Sequence, residues 1–449
     1  MKFAPTLNCL LFLIPIFAFS QEPVETKNKG TLSGQWRTYY MNTFNKGNLK
    51  DFSALASGGK IKYEFLFHKK WEIGAALYNS TNLEIQDLTV PDETTGKLSR
   101  YEEGLFNRLD LKNDALFLLG ELYLKYKSPK HEFAIGRMKI NTPLINPEDG
   151  RMIPTLVQGL WYRYKKTKEN TLQLGILNKI APRSTGHFYD IGESIGTYPE
   201  GRSITGENNQ YGGNTDSDYV ILFNSEIKVT EHLRLDFWNF YVDNISNTTY
   251  LKPRMDITQK LNLELEWLHQ NKIGNGGNDI DSQRYFSNNT SDILGVKLDY
   301  QWTKSKASLA YDRILPHGQF ISPREWGRED LFSFQKRERS EGSGDNHALV
   351  FHYDTNFNFT KINTQIQSVF SIGRHWKPSV LDPRLNKYAV PDYTQFNLDL
   401  FFKFDKLKNL HPELLLVSKI ANGDFPNNPN FYFNKTDLFH IDLILNYNF

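Results

Sequence analysis

From Gly30 onward the chain alternates. Segments of about ten residues place apolar or aromatic side chains at every second position with polar ones between, and a period of two predicts strands with one apolar and one wet face. The last segment is the most complete: Phe439, Ile441, Leu443, Leu445, Tyr447 and Phe449 share one parity, while His440, Asp442, Asn446 and Asn448, interrupted by Ile444, share the other. Similar sets begin with Leu32-Gly34-Trp36-Thr38-Tyr40, Ile61-Tyr63-Phe65-Phe67, Trp71-Ile73-Ala75-Leu77 and Leu118-Gly120-Leu122-Leu124-Tyr126. They recur through Leu261-Leu263-Leu265-Trp267, Leu294-Val296-Leu298-Tyr300 and Phe396-Leu398-Leu400-Phe402-Phe404. No stretch reads as a convincing amphipathic helix. The count is roughly 18 strands, each about as long as a tilted strand needs to be to cross a bilayer.

The connections alternate as well. Short turns are expected at Lys69-Lys70, 128–130, 166–169, 229–231, 258–260, 302–305, Thr355 to Asn358 and 405–410. Between them lie long segments at 45–58, 80–115, 139–156, 179–217, 270–290, 314–345, 373–391 and 421–436, with one short connection, near Asn244, where a long one is expected. The pattern predicts an all-β fold: a transmembrane antiparallel β-barrel of about 18 strands, with short periplasmic turns, long extracellular loops and both termini at the short-turn end. A terminal strand that alternates to a final Phe449 resembles the C-terminal signal of bacterial outer-membrane barrels, which implies a Gram-negative outer-membrane location, lipid contact, and the barrel assembly machinery as a partner through that strand.

Composition adds a few limits. The chain has 449 residues, with 23 Tyr and 32 Phe and a formal net charge of only +2, so no nucleic-acid partner is expected. Lys2, the apolar run Leu10 to Phe19 and the small-x-small site Ala18-Phe19-Ser20 read as a signal peptide over 1–20, leaving a barrel domain over 21–449. The single cysteine, Cys9, falls within that leader, so no disulfide is expected in the mature chain. Aromatics such as Trp36, Tyr40, Trp267, Tyr300, Tyr353 and Tyr447 cluster at strand ends, as an interfacial girdle would.

With the apolar parity toward lipid, the other parity lines a bore. It carries Arg37, Glu121, Lys125, Arg163, Arg234, Asp236, Arg254, Glu264, Asp299 and Asp312. Charges this dense need either pairing or a water-filled interior. Both signs are present, so a basic strip facing an acidic one is expected, a field that orients zwitterions and small carboxylates. Gly-rich phosphate loops, His/Cys metal spacings and nucleophile elbows are not found, so neither metal nor cofactor is expected and no catalytic residue is assigned. Ser184, His187 and Asp190 lie close in sequence as a chance triad would, and Asn275 to Asp281 is oxygen-rich, though a polar loop accounts for it.

The segment from Gly136 to Tyr164 is the most distinctive. It holds three prolines around Glu148-Asp149-Gly150-Arg151 and runs from Gly136-Arg137 to Gly159-Leu160-Trp161-Tyr162. With Tyr39-Tyr40-Met41-Asn42, Trp238 to Tyr250, Arg339 to Asp345 and Leu385-Asn386-Lys387-Tyr388, it resembles the OprD family of substrate-specific outer-membrane porins. The resemblance implies that loop 139–156 folds into the barrel and narrows it, with help from 314–345, which carries Arg324, Glu325, Arg328, Glu329, Asp330, Arg337 and Arg339. It also implies a basic ladder drawn from residues such as Arg37, Arg137, Arg151, Arg163, Arg234 and Arg254. The expected protein is a passive diffusion channel, not an enzyme, for amino acids and small carboxylates, monomeric or weakly trimeric. An oligosaccharide porin, a barrel-based surface enzyme and an adhesin are the alternatives; the first needs stacked aromatics along the bore, for which Trp161, Trp238 and Phe240 are available.

Overall fold

The computed structural model describes residues 30–147 and 150–449. The expected leader, Glu148 and Asp149 lie outside the described residues. One sheet contains all the strands. In chain order they are β1 (Gly30–Asn45), β2 (Phe52–Phe67), β3 (Trp71–Asn82), β4 (Ala115–Lys127), β5 (His131–Met138), β6 (Leu156–Lys165), β7 (Thr171–Ala181), β8 (Tyr189–Asp190), β9 (Val220–Lys228) and β10 (Leu233–Val242). The second half adds β11 (Ser246–Asp256), β12 (Leu261–Lys272), β13 (Thr290–Gln301), β14 (Ser305–Ile314), β15 (Asn346–Phe359), β16 (Thr364–Trp376), β17 (Asp392–Phe404), β18 (Leu410–Asn422) and β19 (Leu438–Asn448).

Each strand pairs antiparallel with its neighbours. β19 returns to β1, with Trp36 opposite Tyr447 and Tyr40 opposite Leu443, so the barrel closes on 18 strands. β8 is the exception: it adds two residues to the edge of β7 outside the ring, while β7 and β9 pair directly. Closure leaves no edge to pair elsewhere, a requirement for backbone in hydrocarbon. The final residue is part of the seam: the Phe449 carbonyl accepts from the Gly34 amide at 2.8 Å, and the Phe449 amide donates back at 3.1 Å. A Cβ at residue 34 would sit 2.3 Å from the Phe449 ring, so only glycine lets that ring lie over the seam.

The apolar parity faces outward. Trp36, Ile61, Ile73, Leu265, Trp267, Leu298, Tyr300, Leu309, Phe351, Leu443 and Tyr447 are all exposed on the outer wall, the surface that lipid would cover. The buried apolar residues form clusters where loops meet the inner wall. One joins Tyr39, Met41, Phe52, Ala54 and Ala56 to Leu88, Tyr101, Leu105 and Phe106 of the loop 83–114.

Three expectations need correction. Residues 52–58 are strand, not loop: above the membrane the outer wall faces water, so β2 turns Phe52, Ala54 and Ala56 inward onto the loop and Ser53 and Ser57 outward. The turn expected at 355–358 lies at 360–363, because β15 continues to Phe359. Leu118 points into the barrel, only 4% exposed, because a bulge between β3 and β4 skips Gly120 and shifts the parity; Glu121, Tyr123 and Lys125 then face inward as expected.

Candidate functional site

The inward charges of the short-turn half pair along the wall. Lys62 reaches Glu64 and Glu121, each at 2.9 Å, and Lys125 reaches Glu72 at 2.7 Å. On the opposite side Lys297 contacts Glu264 at 3.2 Å and Asp299 at 3.7 Å, Lys306 contacts Asp299 at 3.0 Å, and Arg254 contacts Glu264 at 3.6 Å. Arg234 lies 3.7 Å from Glu169, Arg163 donates to Gln173 at 2.8 Å, and Asp236 accepts from Asn224 at 2.7 Å. These residues interleave opposite charges and brace the wall; they do not form one basic strip facing one acidic strip.

The bore is crossed by the loop 315–345, which docks along half the circumference. Asp330 meets Lys252 of β11 at 3.0 Å, and the Phe332 amide donates to Glu266 of β12 at 3.1 Å. The Ser333 amide donates to Asp312 of β14 at 2.7 Å, and Gln335 donates to Ser371 of β16 at 2.8 Å. Lys336 pairs with Asp399 of β17 at 3.1 Å and Glu413 of β18 at 2.7 Å. Arg337 then pairs with Asp442 of β19, and Glu338 with Lys419 of β18. All of these contacts but that of Gln335 are to a charged wall side chain, so polar wall positions that sequence places in a water-filled bore hold a loop instead.

The loop 139–155 rests on this crossing strap. The Asn146 amide donates to the Trp326 carbonyl at 3.0 Å, and its side chain donates to the Arg328 carbonyl at 2.8 Å. Its far end reaches the wall: Arg37 of β1 donates to the Arg151 carbonyl at 2.5 Å, and Arg151 donates to the Tyr101 carbonyl at 3.1 Å.

What the loops leave open is an eccentric cavity of about 1100 Å³ against β1, β2, β18 and β19. Among the described residues, sixteen lysines and arginines line it, against four carboxylates, Glu103, Glu338, Glu413 and Asp442. All four carboxylates already hold cations: Glu103 pairs with Arg108, Glu338 with Lys419, Glu413 with Lys336 and Asp442 with Arg337. Burial and the neighbouring Lys60 push the Lys139 ammonium down to about 8. Burial pushes Lys97 and Lys387 down as well. Burial penalises the charged form of these ammonium groups, and the like charge of Lys60 adds repulsion at Lys139.

Of the residues singled out from sequence, Arg37 and Arg151 line this cavity. Glu121, Lys125, Arg163, Arg234, Asp236, Arg254, Glu264, Asp299 and Asp312 have inward parity but lie in the wall away from it. Arg137 sits on the outer face: it shares the parity of exposed Ile135, stacks on Phe188 at 4.5 Å and donates to Gln158 at 3.2 Å. Ser184, His187 and Asp190 are not assembled; the Ser184 hydroxyl donates to the Gly104 carbonyl, and Asp190 pairs with Lys179 at 2.6 Å. Asp281 is occupied by Arg284. Trp161 and Trp238 are buried in the wall and do not line the cavity. The residues missed were loop cations, among them Lys97, Arg100, Arg108, Arg183, Arg202, Lys336 and Lys435.

Residues 101–358 match the outer membrane porin, OprD family. No curated protein gives a significant sequence match. Among solved structures the chain is similar to Pseudomonas aeruginosa OccK8 (OprE), at 16% identity and a TM-score of 0.66, over 94% of this chain and 98% of that one. It is also similar to Acinetobacter baumannii OccAB4, at 14% identity, TM-score 0.67, and the same coverage of 94% and 98%. Pseudomonas aeruginosa OpdK, solved with vanillate, is similar at 13% identity and a TM-score of 0.67, again over 94% and 98%. With the family matched over more than half its length on a closed barrel of the family's architecture, the chain belongs to the OprD family of outer-membrane porins.

Proposed function

We propose that this porin is an anion-preferring, passive diffusion channel for small organic acids, with loops 139–156 and 314–345 as its constriction. The observation that carries the reading is the excess of cationic over anionic groups, sixteen to four among the described residues, around a cavity of about 1100 Å³. A carboxylate entering it exchanges part of its hydration for Arg and Lys donors, and the field of the cavity raises its local concentration. Basic amino acids meet repulsion there, so the expected amino-acid traffic is neutral or acidic. OpdK, a neighbour in fold, was solved with vanillate, an aromatic carboxylate, which supports the same solute class. Within this reading Arg37 and Arg151 bind the solute, and the paired wall charges keep the lower bore hydrated. Residues 1–20 direct export, and the Phe449 strand serves recognition by the assembly machinery of a monomer or weak trimer. Swelling of proteoliposomes tests the solute class: influx of benzoate should exceed that of a neutral sugar of similar size and of arginine, and equal rates for all three would refute it.

A further inference from the structure

Four cations at the outer mouth of the cavity stand apart from the others. Lys97 and Arg100 come from the loop 83–114, Arg202 from 182–219 and Lys435 from 423–437, and all four line the void. None forms an ion pair among the described residues. Backbone contacts hold them together. The Asn434 side chain donates to the Leu98 carbonyl at 3.0 Å, and Arg100 donates to the Asn434 carbonyl at 3.2 Å, which brings the first two beside Lys435. The Lys435 ammonium donates to the carbonyls of Tyr388 and Asn430, each at 2.8 Å. Arg202 donates to the Asn386 carbonyl at 2.7 Å, and its amide donates to the Lys387 carbonyl at 2.9 Å, so residues 386–388 join Arg202 to Lys435. Carbonyls satisfy donors but leave the net charge uncompensated. Burial, with Lys97, Arg100, Arg202 and Arg324 nearby, pushes the Lys435 ammonium well below its ordinary value. Asp382 acts on Arg202 from a distance, and Arg324 is itself paired with Glu341 at 2.5 Å.

We infer that this mouth is a docking site for a free solute carrying two or more anionic groups, such as a polycarboxylate or a phosphate or sulfate ester. The inference rests on the anion-channel reading and narrows its solute class. The argument is one of valence. Coulomb attraction scales with the product of the charges, so a trianion gains three times as much from each cation as a monoanion does. Four unpaired cations on three separate loops are more than one carboxylate can use. The cluster faces the cavity and not the outer wall, so a dissolved solute reaches it and a lipid headgroup does not.

The test is single-channel current in a planar bilayer, with citrate or benzoate added on the loop side at pH 7.5. Citrate should block with at least tenfold higher affinity than benzoate. Lys97→Gln and Arg202→Gln should each weaken citrate block roughly tenfold and benzoate block only about twofold, since tenfold is near the cube of twofold. Arg202→Lys, which keeps the charge, should retain citrate affinity. Equal affinities for the two anions, or equal losses in the glutamine variants, would overturn the inference. A preference for anions over cations that persists in that case would leave the channel reading standing, whereas its absence in the unsubstituted protein would remove both.

Discussion

The loop 83–114 is fastened to the barrel seam by a buried acid, and this makes its docking depend on pH. Glu102 accepts from the Thr43 hydroxyl of β1 at 2.5 Å and lies 3.9 Å from His440 of β19, whose other nitrogen is 3.1 Å from Asp442. Tyr101 packs on the His440 ring at 4.8 Å, Arg337 pairs with Asp442, and the second Glu102 oxygen has no hydrogen-bond partner among the described residues. Burial raises the Glu102 carboxyl to about 7 from 4.5; the negative charge of Asp442 adds to the rise, and the Thr43 hydrogen bond and Arg337 partly offset it. The docked loop therefore binds a proton that the released loop gives up. Docking is strongest below the ordinary carboxylate range and weakens as pH rises through about 7. Between pH 5 and 7.5 the docking equilibrium should fall roughly fiftyfold, about 2 kcal/mol, with most of the loss below pH 7. Amide hydrogen exchange at residues 103–106, corrected for intrinsic rates, reads this as lost protection. Glu102→Gln, which stays neutral, should flatten the profile. The same slope in Glu102→Gln, or no slope in the original protein, would refute the reasoning.

Other changes should act at other points. Glu338→Gln leaves the buried Lys419 and Lys377 ammonium groups without their carboxylate, a loss of about 3–5 kcal/mol in the docking of the strap, read as larger and noisier open-channel current. Those cations hold the Glu338 carboxyl well below the ordinary range, so its contribution is present above that range, and acidification to pH 5 should not reproduce the effect. Gly59 has φ +140°, and a Cβ there would lie 1.8 Å from the Gln35 carbonyl, so Gly59→Ala should disrupt the β1–β2 ladder and reduce the heat-modifiable folded band on gels. Leu309→Arg places a charge on the lipid face and should cost about 2–4 kcal/mol in urea unfolding from vesicles, more than the same change at a rim position.

Where lipid dictated the pattern, the sequence was readable. All 18 wall strands follow from alternation, because a strand in hydrocarbon must show apolar side chains on its outer face for its whole crossing. Legibility failed where that rule lapses. Phe52 to Gly58 lies beyond the membrane, where the apolar face turns inward, and the Gly120 bulge moved Leu118 to the other wall. The cavity itself was only partly visible. Arg37 is recognisable by parity and Arg151 by its unusual loop, but Lys97, Arg202 and Lys435 come from separate loops with no period to connect them. Wall residues such as Asp312, Asp399 and Asp442 looked like water-lining groups because nothing local in sequence announces that Ser333, Lys336 and Arg337 will cross the bore to meet them.

The zero-current potential of the channel in a planar bilayer, across a tenfold gradient of potassium chloride, addresses the cationic cavity most directly. The sixteen-to-four excess of cations among the described residues predicts a potential with the sign of chloride permeation. The preference should shrink as total salt rises and the fixed charges are screened. A potential near zero at low salt, or one with the sign of potassium permeation, would contradict an anion-preferring pore.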